Sequence, residues 1–348
     1  MDRIRVAIAA PVPSGLTEFL LELEPRIDLR YDPEVLPPMR HPADFSGDPS
    51  YSRTPEQSRR YEELLVDAEA LYGIPDVDPT ALRHVVEANP DLRWVHTMAA
   101  GGGATVQAAN LTSEQLNKII FTSSAGVHAG PLAEFAIFGM LAGAKDLPRL
   151  SAQQAAREWS GRWMMGQLQE QTVLVIGLGG IGRRIVELLG PFGTTIIGTS
   201  RRRSSVPGVD EVIHPDDLDS VASRVDAVIS TLPGTDATTG LLDRSFFTAL
   251  KAGATVVNVG RGTVIDEAAL IDALSDGRVR FAALDVFATE PLPADSPLWS
   301  MPNVLVSPHT AALSVHEDRR IAELFCDNAT RLLDGQPLRN VINTEEFY

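Results

Sequence analysis

The sequence predicts an α/β protein built from two doubly wound parallel sheets of the Rossmann or flavodoxin-like type. The chain has 348 residues, which is long for one domain and comfortable for two. Strand-like runs alternate with helical patterns, an order typical of parallel strands covered by helices. Several of these runs are apolar throughout, as strands buried on both faces are.

The predicted strands fall into two series. The first series comprises RVAIAA (5–10), DLRYD (28–32), EALYG (69–73), RWVHTM (93–98) and KIIFTS (118–123). The second comprises TVLVIG (172–177), TTIIGTS (194–200), EVIH (211–214), AVISTLP (227–233), ATVVNVG (254–260), FAALDVF (281–287) and NVLVSP (303–308). Two such series indicate two sheets, each with its own core.

Two helices and a loop complete the outline. The run 131–145 begins at a proline and is apolar on nearly every side, which predicts a helix buried against another domain or subunit. The run 317–335 predicts a helix that follows the second series, so we expect it to return to the first domain. The linkers 123–131 and 308–314 would then form a hinge. Residues 36–60 are rich in Pro, Ser, Asp and Arg and predict a long surface loop.

The composition limits the kinds of partner. Thirty Lys and Arg against 46 Asp and Glu give a net charge of −16, which argues against nucleic acid and anionic membranes. Cys326 is the only cysteine, so no internal disulfide can form, and a reducing cytoplasmic location fits. No apolar run reaches the roughly 18 residues of a membrane helix. We therefore expect a cytoplasmic protein. No Cys/His cluster has metal-site spacing, so we expect no metal site.

A glycine-rich turn opens the second series. Gly177, Gly179 and Gly182 form G-x-G-x-x-G directly after the strand TVLVI and at the start of a helical pattern. In that context the first glycine allows a tight turn, the second lets the backbone approach a pyrophosphate, and the third lets the helix pack on the strand. The helix N-terminus supplies amides and a positive dipole end to the anion. Gly180 and Ile181 complete this predicted dinucleotide site; the alternative is a turn without a ligand.

The end of the next strand carries cations where an acid is usual. An Asp or Glu about 20 residues past the glycines normally binds the ribose hydroxyls, but Ser200 is here followed by Arg201, Arg202 and Arg203. An acid would repel a 2′-phosphate by roughly 4 kcal/mol at about 4 Å and an effective dielectric constant of about 20. A guanidinium would bind it in a bidentate manner. We therefore expect Ser200 and Arg201, with Arg202 or its neighbour, to select NADPH, with NADH possible. The alternative is a solvated basic turn.

Chemically active side chains follow three other strands of the second series. Arg261, Asp285, Glu290 and His309 lie in NVGRG (258–262), LDVFATEPLP (284–293) and NVLVSPHTA (303–311). The carboxyl ends of parallel strands share one edge of a sheet, where ligands bind. An arginine can clamp a carboxylate and polarise a carbonyl. A histidine can carry the proton that accompanies a hydride, and a carboxylate on its other ring nitrogen would orient it and favour its charged form.

These motifs resemble the D-isomer-specific 2-hydroxyacid dehydrogenase family, in particular its NADPH-dependent glyoxylate/hydroxypyruvate reductases. The resemblance is carried by VIGLGGIG, STLPGT, NVGRG, ALDVFATEPLP and PLWSMPNVLVSPHTA, and it is strongest from about 172 to 341. It implies a dinucleotide-binding domain, 124–309, inserted in a discontinuous substrate domain, 1–123 plus 310–348. It also implies a cleft between the domains and a homodimer.

The resemblance also implies roles for individual residues. Arg261 matches the ligand of the substrate carboxylate and carbonyl, His309 the proton donor, and Glu290 its partner. Asp285 matches the residue that meets the nicotinamide carboxamide. The other cofactor contacts that it implies are Leu232 and Pro233 on the adenosine side, and Val259 and Gly260 near the nicotinamide ribose.

The substrate loop departs from the family pattern. The family usually has a glycine-rich turn with an aspartate, whereas this chain reads MAAGGGATV (98–106) without one. Backbone amides of such a turn can still hold a carboxylate. We therefore expect Ala100, Gly101 and Gly102 to contact the substrate.

The sequence as a whole predicts an oxidoreductase that reduces a small 2-oxoacid, such as glyoxylate or hydroxypyruvate, to the D-2-hydroxyacid with NADPH. One alternative is phosphoglycerate-type oxidation on the same scaffold, which would need extra cations near 98–103. Another is a non-catalytic protein that senses NAD(P)H and binds other proteins, because related corepressors retain the same residues. Turnover of any 2-oxoacid would separate an enzyme from a sensor.

Overall fold

The computed structural model describes residues 3–201 and 204–347, and the chain divides into two compact units. The first unit comprises the residues up to His128 together with those from Leu313 onward. The second unit comprises Ala129–Ala312. The predicted domain boundaries, after 123 and after 309, lie a few residues before these two junctions.

The predicted strands are all found, with ends shifted by at most a few residues. In chain order they are β1 Ile4–Ile8, β2 Ile27–Arg30, β3 Ala70–Tyr72, β4 Trp94–Thr97, β5 Ile120–Ser123, β6 Thr172–Ile176, β7 Thr195–Thr199, β8 Glu211–Ile213, β9 Ala227–Ser230, β10 Ala254–Asn258, β11 Val279–Leu284 and β12 Val304–Val306. Strands such as β9 and β10 are buried at every position, as their largely apolar sequences predict.

Helices alternate with the strands. They are α1 Leu16–Leu23, α2 Pro55–Val66, α3 Pro79–Ala88, α4 Gly103–Ala108, α5 Ser113–Lys118, α6 Ala129–Ala144, α7 Leu147–Ala156, α8 Gly180–Leu189, α9 Leu218–Ala222, α10 Arg244–Ala249, α11 Glu267–Ser275 and α12 Glu317–Leu333. None of the helices in the described part of the chain is both long and apolar enough to cross a membrane.

The prediction of a loop over 36–60 is wrong at its end. Helix α2 begins at Pro55, inside the predicted loop. Thr54 caps it through a hydrogen bond from the Gln57 amide, and the Gln57 side chain bonds back to the Thr54 amide. A proline in the first helical turn adds to this start signal, which the polar composition of the segment obscured.

The first unit contains a five-stranded parallel sheet in the order β2-β1-β3-β4-β5. This is the flavodoxin-like order. Helix α12 belongs to this unit, as predicted, and its Phe325 stacks on Trp94 of β4 with ring centroids 4.4 Å apart. Both rings are fully buried in the first core.

The second unit contains a seven-stranded parallel sheet in the order β12-β11-β10-β9-β6-β7-β8. Its first six strands in sequence follow the Rossmann order, and β12 extends the sheet. The strand order reverses between β6 and β9, which is the point where ligands bind in open sheets of this kind. Helix α6 packs on this sheet, within its own unit, and so closely that a Cβ at Gly139 or Gly143 would clash with side chains of β10 and β11.

Candidate active site

The glycine turn after β6 has two glycines that packing requires and one that it does not. Gly177 has φ 98°, and a Cβ there would lie 2.8 Å from the Thr231 hydroxyl and 2.9 Å from Leu232. A Cβ on Gly182 would lie 1.9 Å from the Gly177 carbonyl oxygen. No atom lies within 4 Å of the Cβ position of Gly179, at the N-terminus of α8. The turn therefore presents open space at the glycine expected to meet a pyrophosphate.

The end of β7 carries no acid. The Ser200 amide donates to the Ile213 carbonyl at 3.0 Å, which ties this residue to β8, and Arg201 is exposed. The first acidic residue beyond β7 is Asp210, whose carboxylate accepts from an amide at the opposite end of that strand. Arg202 lies outside the described residues. Ser200 and Arg201 therefore directly follow β7, where an acid is usual in sites that bind the adenosine ribose, and neither of them is an acid.

His309 and Glu290 form a hydrogen-bonded pair. The Nδ1 atom of His309 lies 2.7 Å from Oε2 of Glu290, and Oε1 of Glu290 accepts from the Phe287 amide at 3.0 Å. The His309 side chain is 46% exposed and the Glu290 side chain 35%, so the ring remains accessible. Partial burial alone would raise the pKa of Glu290, but the hydrogen bonds from His309 and the Phe287 amide outweigh it, and the pKa is lowered overall. Glu290 is therefore ionised at neutral pH beside the imidazole.

A buried carboxylate holds the loop that carries His309. One oxygen of Asp285 accepts from the Ser307 hydroxyl at 2.5 Å and from the amides of Thr310 and Ala311 at 3.0 Å each. His309 sits inside this loop with φ 53°, a conformation that is uncommon for a residue with a side chain. Asp285, predicted to meet the nicotinamide, thus uses one oxygen to organise the loop.

The turn that carries Arg261 is held by an asparagine. The Asn258 side chain accepts from the Gly260 amide at 3.1 Å and donates to the Arg261 carbonyl at 3.0 Å. The exposed Arg261 side chain donates from Nη1 to the Gly260 carbonyl at 2.8 Å. The positive charge of Arg261 also contributes to the lowered pKa of Glu290, so the two groups lie close enough to interact. Arg261, Glu290 and His309 all lie in the second unit.

The other predicted cofactor residues lie along the same edge of the sheet. Gly260 has no room for a side chain, because its Cβ would lie 2.5 Å from the Leu232 carbonyl oxygen. Gly180 and Pro233 are exposed, Ile181 and Leu232 are half-buried, and Val259 is buried.

The predicted substrate loop lies after β4 in the first unit. Ala100 and Gly101 are exposed, whereas Gly102 is buried. A Cβ on Gly102 would lie 1.9 Å from the hydroxyl oxygen of Thr97, which itself donates to the Ala99 carbonyl. Packing on Thr97 therefore accounts for the glycine at 102, while Ala100 and Gly101 keep accessible backbone.

His96 and His128, two of the histidines of the first unit, both have hydrogen-bond partners within that unit. The ring of His96 is fully buried between the hydroxyls of Thr122, at 2.8 Å, and Ser124, at 3.1 Å. Burial lowers the pKa of His96 to about 3, so this ring is neutral at physiological pH. His128 lies 2.7 Å from Glu317. Among the described residues, no group of three or more His, Cys, Asp or Glu could hold a metal ion.

Sequence reasoning missed three polar residues that shape this site, namely Asn258, Thr199 and Thr231. Asn258 and Thr199 are the last residues of β10 and β7, and Thr231 directly follows β9. A polar residue that ends an apolar strand beside a predicted site is a signal that the sequence does contain. Its hydrogen-bond partners, however, are visible only in the structure.

Comparison with known proteins identifies similar sequences. The sequence profile described as "D-isomer specific 2-hydroxyacid dehydrogenase, NAD binding domain" matches residues 137–311. Glyoxylate/hydroxypyruvate reductase B of Escherichia fergusonii is 30% identical over 302 residues, which cover 84% of this chain and 90% of that protein. D-3-phosphoglycerate dehydrogenase of Methanocaldococcus jannaschii is 31% identical over 80% of this chain, but the match spans only 54% of that protein.

A solved structure with the same fold covers the whole chain. It is a D-isomer specific 2-hydroxyacid dehydrogenase from Xanthobacter autotrophicus Py2, determined in complex with NADPH and MES. The TM-score is 0.78 and the sequence identity 27%, with 100% of each chain covered.

Proposed function

Because the chain belongs to the D-isomer specific 2-hydroxyacid dehydrogenases, which are NAD(P)-dependent oxidoreductases acting on CH–OH groups, we propose that it reduces a small 2-oxoacid to the D-2-hydroxyacid with NADPH. The observation that carries this proposal is the His309–Glu290 pair, 2.7 Å apart, in the unit that also holds the glycine turn. A paired acid and base near a dinucleotide turn supplies the proton that hydride transfer to a carbonyl requires.

His309 is the proton donor in this proposal. Its Nδ1 faces Glu290, so Nε2 is the ring atom left to give a proton to the carbonyl oxygen of the substrate. The ionised Glu290 stabilises the charged imidazolium, and the Phe287 amide prevents the carboxylate from turning away.

Arg261 is the proposed ligand of the substrate. Its guanidinium can form two parallel hydrogen bonds to a carboxylate, and its charge stabilises an oxygen that becomes negative during reduction. The backbone that carries it is held at both ends by the Asn258 side chain. The backbone position from which the Arg261 side chain extends is therefore set before the substrate binds.

The residues at the switch point fit a dinucleotide, and they favour NADPH. Open space at Gly179 and the N-terminus of α8 suit a pyrophosphate. The absent acid and the presence of Arg201 suit a 2′-phosphate, with Ser200 and Arg202 as further contacts. When bound, the cofactor supplies the hydride. The complex of the Xanthobacter relative with NADPH supports this choice, and NADH remains the second cofactor to test.

The similarity to glyoxylate/hydroxypyruvate reductase B supports a small 2-oxoacid of that kind as substrate. The similarity to phosphoglycerate dehydrogenase is the reason to test phosphoglycerate as well. The segment 98–106 contains no Lys or Arg, so this loop offers no cation for an additional phosphate. We therefore rank the smaller substrate first, with the exposed backbone of Ala100 and Gly101 as its contact in the first unit.

We also propose that the protein works as a homodimer in the cytoplasm. The second unit exposes large apolar side chains close together in sequence, including Phe138 at 48%, Trp159 at 101% and Met164 at 97%. Large apolar side chains left exposed in one stretch of the chain favour a protein partner, and a second copy of the chain is the simplest one.

The test follows the loss of reduced-nicotinamide absorbance with a panel of 2-oxoacids, each with NADPH and with NADH. We expect fast turnover with NADPH and glyoxylate or hydroxypyruvate. Turnover favouring NADH would keep the reductase and refute the role of the arginines. Binding of both cofactors without turnover of any 2-oxoacid or of 3-phosphoglycerate would favour the sensing protein instead.

A further inference from the structure

Two threonine hydroxyls hold the first glycine of the dinucleotide turn from opposite sides. The Thr199 hydroxyl accepts from the Gly177 amide at 3.0 Å. The Thr231 hydroxyl donates to the Gly177 carbonyl at 2.8 Å and approaches the Ile176 carbonyl at 3.2 Å. Thr199 ends β7 and Thr231 follows β9, the two strands that flank β6 in the sheet. Both peptide groups of Gly177 are therefore tied to a neighbouring strand.

Gly177 needs such restraints because a residue without a side chain has little intrinsic preference for one backbone conformation. Its φ of 98° lies in a region that other residues avoid. A glycine enters this region freely, and for the same reason it can leave it for many other backbone conformations. The Gly177 carbonyl is also the group against which Gly182 packs at the start of α8. A change in the conformation of Gly177 would thus move the amides of the turn relative to the N-terminus of α8.

We infer that Thr199 and Thr231 are positioning residues that keep the turn at Gly177 in its dinucleotide-binding conformation. This inference rests on the proposed function, since it presupposes that the turn binds a dinucleotide. Without a hydroxyl at 199, the amide of Gly177 loses its partner, and the turn samples other conformations to satisfy it. The apparent dissociation constant then rises in proportion to the loss of the competent conformation.

The inference predicts a loss of cofactor affinity that does not depend on the 2′-phosphate of NADPH. The turn meets the pyrophosphate, which NADPH and NADH share, so the hydroxyls should affect both cofactors by the same factor. Arg201, in contrast, should affect NADPH alone. This difference separates the positioning role from cofactor selection, although Thr199 and Arg201 are only two residues apart.

The experiment compares matched variants in the full-length protein, with dissociation constants for NADPH and NADH measured by the quenching of tryptophan fluorescence. Thr199→Val and Thr231→Val remove the hydroxyl at nearly constant volume, and Thr199→Ser and Thr231→Ser retain it. Thr255→Val, at a buried position of β10 away from the turn, controls for the same change elsewhere in the sheet. Thermal unfolding of every variant shows whether it is folded.

We expect each valine variant to bind both cofactors about three- to tenfold more weakly, the effect of one hydrogen bond. We expect the serine variants and Thr255→Val to bind like the wild type. If one valine variant does not fold, the valine and serine variants of the other threonine test the inference. Unchanged binding in a folded valine variant, equally weak binding in its serine counterpart, or an equal loss in Thr255→Val would overturn the inference. If the wild type binds neither cofactor, the proposed function itself fails, and this inference fails with it.

Discussion

Nδ1 of His309 lies 2.7 Å from Oε2 of Glu290, and the other oxygen of that carboxylate is held by the Phe287 amide. A second polar side chain, itself bonded to backbone, thus holds each proposed catalytic residue or the segment that carries it. Asp285 plays this part for the loop of His309, and Asn258 plays it for the turn of Arg261. Such fixed networks reduce the rearrangement that a reaction requires.

Replacing His309 tests the proton donor. We expect His309→Ala to lower turnover of the 2-oxoacid by about 10²- to 10⁴-fold, the usual contribution of general acid catalysis. Dinucleotide affinity should stay unchanged, because the glycine turn lies elsewhere on the sheet edge. Steady-state kinetics and cofactor titration check the two statements, and His316→Ala, at an exposed position before α12, is the control. Near-normal turnover in His309→Ala would refute the role.

Replacing Glu290 tests the pair through its pH dependence. The folded protein lowers the pKa of Glu290 from 4.5, so the ionised carboxylate stabilises the fold above that pH. This contribution is lost as the pH falls through the lowered pKa. We expect the difference in unfolding temperature between the wild type and Glu290→Gln to shrink as the pH falls below about 4.5. A difference that stays the same at every pH down to 3 would contradict the assignment.

Replacing Arg201 tests cofactor selection. We expect Arg201→Ala to weaken NADPH binding about tenfold or more, since a charged hydrogen bond to the 2′-phosphate is lost. NADH binding should barely change. Arg184→Ala is a matched control, because this exposed arginine on α8 pairs with Glu187. Equal losses for the two cofactors, measured by titration, would show that Arg201 does not read the phosphate.

Replacing Asn258 tests the support of Arg261. Asn258→Asp keeps the size of the side chain and the acceptor for the Gly260 amide, but it faces the Arg261 carbonyl with an oxygen instead of a donor. We expect the KM of the 2-oxoacid to rise severalfold while cofactor affinity stays constant. Asn303→Asp, which removes a comparable bond to the Leu274 carbonyl, is the control. An unchanged KM in folded Asn258→Asp would show that the turn holds Arg261 without this bond.

Two glycines of one motif should respond differently to alanine. Gly182→Ala places a methyl group 1.9 Å from the Gly177 carbonyl oxygen, so we expect a clear loss of thermal stability. Gly179→Ala meets no atom within 4 Å and should fold normally, yet bind the dinucleotide more weakly because the methyl occupies the space of the pyrophosphate. Unfolding temperatures and cofactor titration together distinguish the two. A stable Gly182→Ala, or a Gly179→Ala with normal affinity, would contradict this reading of the turn.

The sequence by itself determined the strands, the alternation that makes both sheets parallel, and the return of α12 to the first unit. The strands and their alternation with helices follow from local patterns of apolar residues, which are readable along the chain. The return of α12 was expected from its place after the second series of strands. The start of α2 inside a segment predicted as a loop shows the limit of composition alone. There the capping of the Gln57 amide by Thr54 decided the outcome.

Only the tertiary structure decided which side chains meet. The sequence named His309 and Glu290, but their 2.7 Å contact joins residues 19 apart in the chain. The bonds from Thr199 and Thr231 to Gly177 span 22 and 54 positions, and neither was expected. Hydrogen bonds require the right distance and direction at once. These are set by how strands pair and loops turn across the whole unit, so residue type and spacing could suggest the participants but not their partners.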